Sequence, residues 1–327
     1  MVGFVLSAVF GFVPNFFLAG IIYWLDRFEK EPKRLLGGVF TWGAVVAVIG
    51  ALILQLALGQ GVLMLTGSQA LEEIAGSSLF APVTEELLKG LAVALIFLFF
   101  RHEFDSYLDG IVYAAITALG FAATEDMLYY YSSYMEEGLG GLAMLVFLRF
   151  VVFGWQHPFF TAFTGIGLAV ARHNHSLPVK ILGPAVGLSI AVFTHSLHNS
   201  LLTFLSGLWG LVAAAIAAWT GWAFMLIFIV WLIHREREWL SEYLRDEVEL
   251  KTITLEQYRQ ACSLFGQSRA RLASLIRGRY RVTARFYQLC GELSHKKRQL
   301  ALYGEETGNS LFIENLRREL SSISQEV

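Results

Sequence analysis

The chain has 327 residues, 55% of them apolar and 16% charged, with a mean hydropathy of +0.54. Soluble domains carry about 25% charged residues, so this composition excludes an ordinary soluble enzyme and a disordered chain. A balance of 25 Lys and Arg against 27 Asp and Glu also excludes a nucleic-acid binder, which needs a basic face.

The charges are unevenly spread. Residues 1–234 hold 9 basic and 14 acidic side chains, whereas residues 235–327 hold 16 and 13, or 29 charges in 93 residues. The sequence therefore predicts an all-α fold: a polytopic membrane helical bundle over 1–234 and a charged helical cytosolic tail over 235–327. Cys262 and Cys290, both in the tail, read as free packing residues, since no disulfide framework is built from two distant thiols in a reducing compartment. The apolar run at the N-terminus lacks a basic leader and is long enough to stay as a span.

A helical span needs about 20 apolar residues. Runs of that length fall at 2–25, 37–65, 78–100, 108–131, 143–171, 180–205 and 208–233, which predicts seven spans. The stretch 67–77, with Gly67, Ser68, Glu72, Glu73 and Gly76, reads as an interfacial turn, and only Ser206 and Gly207 separate the last two runs. The loop Asp26–Arg34 carries four basic residues; Arg101, then Arg172 and Lys180, then Arg235 and Arg237 fall in the other odd-numbered loops. Loops 66–77 and 132–142 carry none. By the positive-inside rule the N-terminus is outside, the tail is cytosolic, and the chain sits in the cell membrane. In the tail, Arg269, Arg271, Arg277, Arg279, Arg281 and Arg285 form a basic stretch with Tyr280 and Phe286. It reads as a solvated helical face, with contact to anionic lipid or a cytosolic partner as the sharper alternative.

The informative residues are the ionisable ones inside spans, each costing at least about 2.5–3.5 kcal/mol at the bilayer centre unless it pairs or works. They are Glu85, Glu86 and Lys89 on the third span, Glu125 and Asp126 on the fourth, Arg149 and His157 on the fifth, and His195 and His198 on the sixth. At a helical rise of about 1.5 Å per residue, Glu85 and Glu86 lie about 11–12 Å below the outer boundary, Glu125 about 9 Å, His157 about 18–24 Å and His195 about 15 Å. Four helices thus bring carboxylates and imidazoles to similar depths. Arg149 fits either this site or a headgroup-level anchor. His198 turns away from the face shared by His195 and Asn199 and is expected to bond locally.

Spacing refines the roles. Lys89 is i+4 to Glu85 and i+3 to Glu86, so one glutamate is expected to pair with it while the other faces a cavity. His157 and Thr161, like His195 and Asn199, are i and i+4 on one face. Pro158 removes a helical hydrogen bond and predicts a kink beside His157. Such a set suits water activation in two ways. In one, zinc is bound by His157, His195 and Glu125 with a position left for water, and Glu85 or Glu86 is the base. In the other, a buried glutamate alone takes the proton while a histidine and Asn199 stabilise the oxyanion.

These residues also carry a family resemblance. Pro82-Val83-Thr84-Glu85-Glu86-Leu87-Leu88-Lys89 resembles the EExxK motif of the PrsW family of intramembrane proteases, a branch similar to the CAAX prenyl endopeptidases and bacteriocin-immunity proteins. Leu108-Asp109-Gly110-Ile111-Val112-Tyr113 with Gly120-Phe121-Ala122-Ala123-Thr124-Glu125 resembles its next segment. His157 with Thr161, and His195 with Asn199, fall where its histidine motifs would, and Asp26–Pro32 is similar to its first cytosolic loop. The resemblance implies an endopeptidase that cuts a membrane protein of the anti-sigma-factor kind on its outer side. It implies Glu85, Glu86, Glu125, His157, His195 and Asn199 as catalytic residues, with Lys89, Asp126 and Thr161 supporting. Asp126 departs from the Asn usual at that position, and the tail has no counterpart in the family. Two other classes use the same cluster: a proton-coupled transporter with a carboxylate–histidine relay, which predicts internal repeats, and a silent scaffold, which predicts a missing motif residue.

Overall fold

A computed structural model of the chain describes residues 1–205, 207–305 and 308–327, with side chains at all of these but His102 and Tyr303. Ser206, expected in the turn between the last two spans, lies outside the described residues. Among the described residues the fold is all-helical, with no β-strand. Two compact units are formed, one from Met1–Trp24 with Glu31–Phe228 and the other from Leu25–Lys30 with Ile229–Val327.

The first unit begins with α1 (Val2–Leu25), then α2 (Lys33–Thr41), which passes through a π-helical stretch (Trp42–Ala47) into α3 (Val48–Thr66). A short α4 (Gln69–Ala75) and a second π stretch (Gly76–Phe80) lead to α5 (Ala81–Phe99). Then come α6 (Tyr107–Val146), a third π stretch (Phe147–Val152), α7 (Gln156–Arg172), α8 (Leu177–Phe204) and α9 (Gly207–Tyr243), whose residues from Ile229 on belong to the second unit. Among the described residues five helical segments are long and apolar enough to cross a bilayer: Val2–Leu25, Lys33–Thr66, Tyr107–Arg172, Leu177–Phe204 and Gly207–Glu249. Tyr107–Arg172 has 66 residues, about three times what one crossing needs. Its helix breaks at Gly138, where φ 70° and ψ −150° are open to glycine alone. The seven-span expectation therefore also needs a reversal within this segment and α5, whose three charges keep it out of the apolar set.

The helices are inside-out relative to those of a soluble protein. On α1 the buried stripe is Gly3, Ser7, Gly11, Asn15, Leu18 and Ile22, while Phe4, Val5, Val9, Phe16 and Phe17 point outward. Small and polar residues inward with large apolar ones outward is the pattern of helices packed in lipid. The same holds for α8, which buries Gly187, Ala191 and His195 and exposes Ile181, Val186 and Phe193. The centre of the unit is α6, started by a capping box between Ser106 and Asp109 and buried at every residue from Leu108 to Ala123. Close approach is built from glycine. A Cβ on Gly165 would lie 2.0 Å from the carbonyl oxygen of Gly110, and one on Gly167 would lie 2.4 Å from that of Gly183.

The second unit continues through α10 (Arg245–Glu249), α11 (Leu255–Ala261), α12 (Gly266–Ile276), α13 (Tyr280–Tyr303) and α14 (Asn309–Ser324). Its core holds Leu240, Leu244, Phe286, Tyr287, Leu289, Leu293 and Leu320. Cys262 and Cys290 are buried free thiols, and burial pushes the Cys290 thiol far above its usual range. The segment Leu25–Lys30 is embedded in this unit. Phe28 is 1% exposed, and the Gln288 amide pairs with both backbone groups of Lys30, accepting from its N–H at 3.0 Å and donating to its carbonyl at 3.1 Å. A Cβ on Gly291 would lie 2.3 Å from the Phe28 carbonyl. Burial pulls the Lys30 ammonium down to about 8, against the opposing pull of Asp26.

Candidate active site

α5 carries the first part of the site. Pro82 sits in its first turn, where the π stretch passes into the α-helix and the ladder of hydrogen bonds is already irregular. One turn on, Glu85, Glu86 and Lys89 are buried. The two neighbouring glutamates have different surroundings. Glu86 is fully bonded: its Oε1 accepts from Lys89 Nζ at 2.6 Å and faces His195 Nδ1 at 3.0 Å, and its Oε2 accepts from Thr161 at 2.8 Å. Glu85 receives only a 3.4 Å contact from Gln55 Nε2 at one oxygen. Its Oε2 is buried with no hydrogen bond, 3.7 Å from Lys89 Nζ and 3.9 Å from His195 Nε2. Lys89 pairs with Glu86, and Glu85 lines the cavity.

Glu125 and Asp126 extend from α6 to Arg149 in the third π stretch. Arg149 donates through Nη2 to Glu125 and through Nε to Asp126, so it belongs to the site network. Asp126 also accepts from Asn15 Nδ2 at 3.1 Å, which gives this carboxylate two defined donors. Glu125 Oε2 lies 3.0 Å from His157 Nε2, and the Nδ1 of His157 lies 3.2 Å from Lys89 Nζ. Beside His157 the predicted kink is a full break: α7 starts anew at Gln156, and Pro158 falls in its first turn, where proline is tolerated.

A cavity of about 670 Å³ opens among these helices, and Glu85, Glu125, His157, His195 and Asn199 all line it. Asn199 donates from Nδ2 to the Ser77 carbonyl at 2.9 Å. His198 lines the same cavity and lies 2.6 Å, through Nδ1, from Gln156 Nε2; Gln156 and Gln55 carry no motif and escaped the sequence reading. Asn15 is the single amide of the run 2–25, whereas Gln55 shares the run 37–65 with Gln60; neutral amides are accommodated between packed spans, so neither stands out.

Glu85, His157 and His195 each offer a ligand atom, and these atoms lie within 4.8 Å of one another. Glu125, grouped with the two histidines from sequence, lies outside this triad because Arg149 and His157 hold its carboxylate. The donor chemistry fits a divalent metal. Two imidazoles and a carboxylate are a common metal set, and the surrounding carboxylates Glu86, Glu125 and Asp126 are each held by Lys89 or Arg149, which leaves Glu85 without a close cation.

Fold and site together define a polytopic helical membrane protein with a carboxylate–histidine centre buried among its helices. The chain belongs to the PrsW family of intramembrane metalloproteases, whose description, "PrsW family intramembrane metalloprotease", matches residues 31–233. It is 31% identical to Protease PrsW of Geobacillus kaustophilus over 39% of this chain and 54% of that protein, about half the relative's length. It is 26% identical to Protease PrsW of Bacillus subtilis over 60% of this chain and 82% of that protein, and 28% identical to Protease PrsW of Oceanobacillus iheyensis over 61% and 82%. No solved structure matches the chain. The family match starts at Glu31 and ends at Ile233, so Leu25–Lys30 and nearly all of the second unit lie outside it.

Proposed function

We propose that the chain is an intramembrane endopeptidase that cuts a membrane-protein substrate of the anti-sigma-factor kind. The observation that carries this is Glu85 Oε2, a buried carboxylate oxygen with no hydrogen bond that lies beside His195 and belongs to a carboxylate lining the cavity. An orphaned buried acceptor is costly and calls for a role. Glu85, His157 and His195 would hold a zinc ion, which when bound supplies Lewis acidity and a more acidic water. Glu125 supports this set from outside, through its contact with His157.

The rest of the machinery orients. Glu86 fixes His195 through Nδ1, which turns Nε2 toward Glu85. Such a carboxylate–imidazole contact sets the tautomer and ring orientation of a working histidine. Lys89 neutralises Glu86. Arg149 pins Glu125, which faces the second nitrogen-bearing edge of His157. The unsatisfied oxygen of Glu85 either completes the metal set or accepts the proton of the attacking water, and Asn199, at the cavity wall, donates to the developing oxyanion.

Loop charges support an outer N-terminus, a cytosolic tail and a site in the outer half of the cell membrane. Residues 1–234 then form the protease domain and 235–327 a cytosolic appendage. The test is cleavage of a single-span substrate co-reconstituted in liposomes. Glu85→Gln and His195→Ala each lower the rate at least a hundredfold; full cleavage by Glu85→Gln contradicts the assignment.

A further inference from the structure

The second unit contains a cavity of about 720 Å³ with four arginines on its wall. Arg259 comes from α11, Arg269 from α12, and Arg277 and Arg279 from the turn before α13. All four are exposed, and among the described residues none has a carboxylate within 4 Å. Other arginines of the same unit are paired: Arg285 with Glu319 at 2.8 Å and Arg317 with Glu247 at 2.7 Å. Two glutamates share the wall without serving as counter-ions. Glu256 accepts from Gln260 at 3.4 Å, and Glu326 gives Arg279 only its backbone carbonyl, at 3.1 Å.

We propose that this cavity binds a small molecule bearing a phosphoryl group. Several guanidinium forks drawn to one concavity without carboxylate partners match the geometry and charge of phosphate oxygens. The volume falls within the range of about 300–1,000 Å³ typical of small-molecule sites. Phe265, 59% exposed on the rim, gives the apolar body of such a ligand a surface to cover. Arg27 lies 4.9 Å over the Phe265 ring and donates to Ser268 at 3.4 Å. The wall of the cavity is thus also the wall that holds the segment Leu25–Lys30. The proposal does not depend on the peptidase reading, because the residues lie outside the family match at 31–233. The phosphoryl group has two sources, a free anion such as a nucleotide or the headgroup of an anionic lipid.

The test uses the full chain in nanodiscs of phosphatidylcholine, titrated with sodium pyrophosphate at low salt. Saturable binding is expected, weakened at least tenfold by Arg269→Gln/Arg277→Gln and unchanged by Arg318→Gln, which removes an exposed pair with Glu314 elsewhere in the unit. Arg269→Lys/Arg277→Lys keeps the charge without the fork and falls between. Titration repeated in discs containing phosphatidylglycerol separates the sources. An unchanged Kd identifies a free anion as the ligand, and a Kd raised several-fold identifies a headgroup competing for the same site. Absence of pyrophosphate binding, or binding that Arg269→Gln/Arg277→Gln leaves intact, overturns the proposal.

Discussion

Glu86 and His195, 109 residues apart in the chain, meet at 3.0 Å between Oε1 and Nδ1. That contact divides the labour of the adjacent glutamates: Glu86 is consumed by Lys89, Thr161 and His195, and Glu85 keeps an unsatisfied oxygen beside the cavity.

The two glutamates should therefore fail differently. Glu86→Gln leaves the fully buried Lys89 without its nearest counter-ion, a loss of about 3–5 kcal/mol for a broken buried pair. Glu85→Gln removes only the longer 3.7 Å contact to Lys89, and folding is expected to stay intact while activity is lost. Thermal unfolding in detergent separates them: Glu86→Gln melts well below the wild type and Glu85→Gln does not.

Arg149 is predicted to matter more than either of its partners alone. Arg149→Ala removes the one cation shared by Glu125 and Asp126, leaving them only the neutral Asn15 and His157 contacts, and a broken buried ion pair costs about 3–5 kcal/mol. Asp126→Asn keeps an acceptor for Arg149 and is expected to lower cleavage less than tenfold. Folded yield and cleavage rate, measured together, check the order.

In the second unit, Glu247 is buried and accepts from Arg317 at 2.7 Å and Lys297 at 3.0 Å. Burial alone would raise its carboxyl, but these hydrogen bonds outweigh it and hold the group below its usual range. A depressed carboxylate stabilises above its unfolded pKa of about 4.3, and the contribution is lost as pH falls through the lower folded value. Unfolding of this unit, followed between pH 6 and pH 3, should show a loss of stability on acidification that Glu247→Gln reduces, the remainder coming from Glu319, which Arg285 also holds below its usual range.

Gly291 is where the α13 backbone meets Phe28. Gly291→Val places a side chain against the Phe28 carbonyl and should release Leu25–Lys30 from the second unit. Hydrogen exchange of the Phe28–Lys30 amides is expected to rise at least tenfold, while amides at the centre of α6 stay protected.

The site was legible where charge was expensive. Glu85, Glu86, Glu125, His157 and His195 stood out because ionisable groups in apolar spans must pair or work. The partition between them was not, because Arg149 and Asn15 choose their partners across helices and no spacing rule encodes that. Gln55 and Asn15 are neutral amides, so the cost that flagged the carboxylates is too small to single them out. Pro158 marked the right place but not the restart of α7, since proline accommodates either a kink or a first turn. The membership of Leu25–Lys30 in the second unit rests on Lys30 and Gln288, 258 residues apart, a pairing that local pattern does not reveal.

In the proposed assignment Glu85, His157 and His195 hold the metal. The most direct measurement is zinc per chain in detergent-purified wild type, Glu85→Gln, His195→Ala and Glu125→Gln. About one zinc per chain in the wild type, as for a three-ligand catalytic site, kept in Glu125→Gln and lost in the other two, is the predicted result. Zinc kept by Glu85→Gln and lost in Glu125→Gln, or no zinc in the wild type, would contradict it.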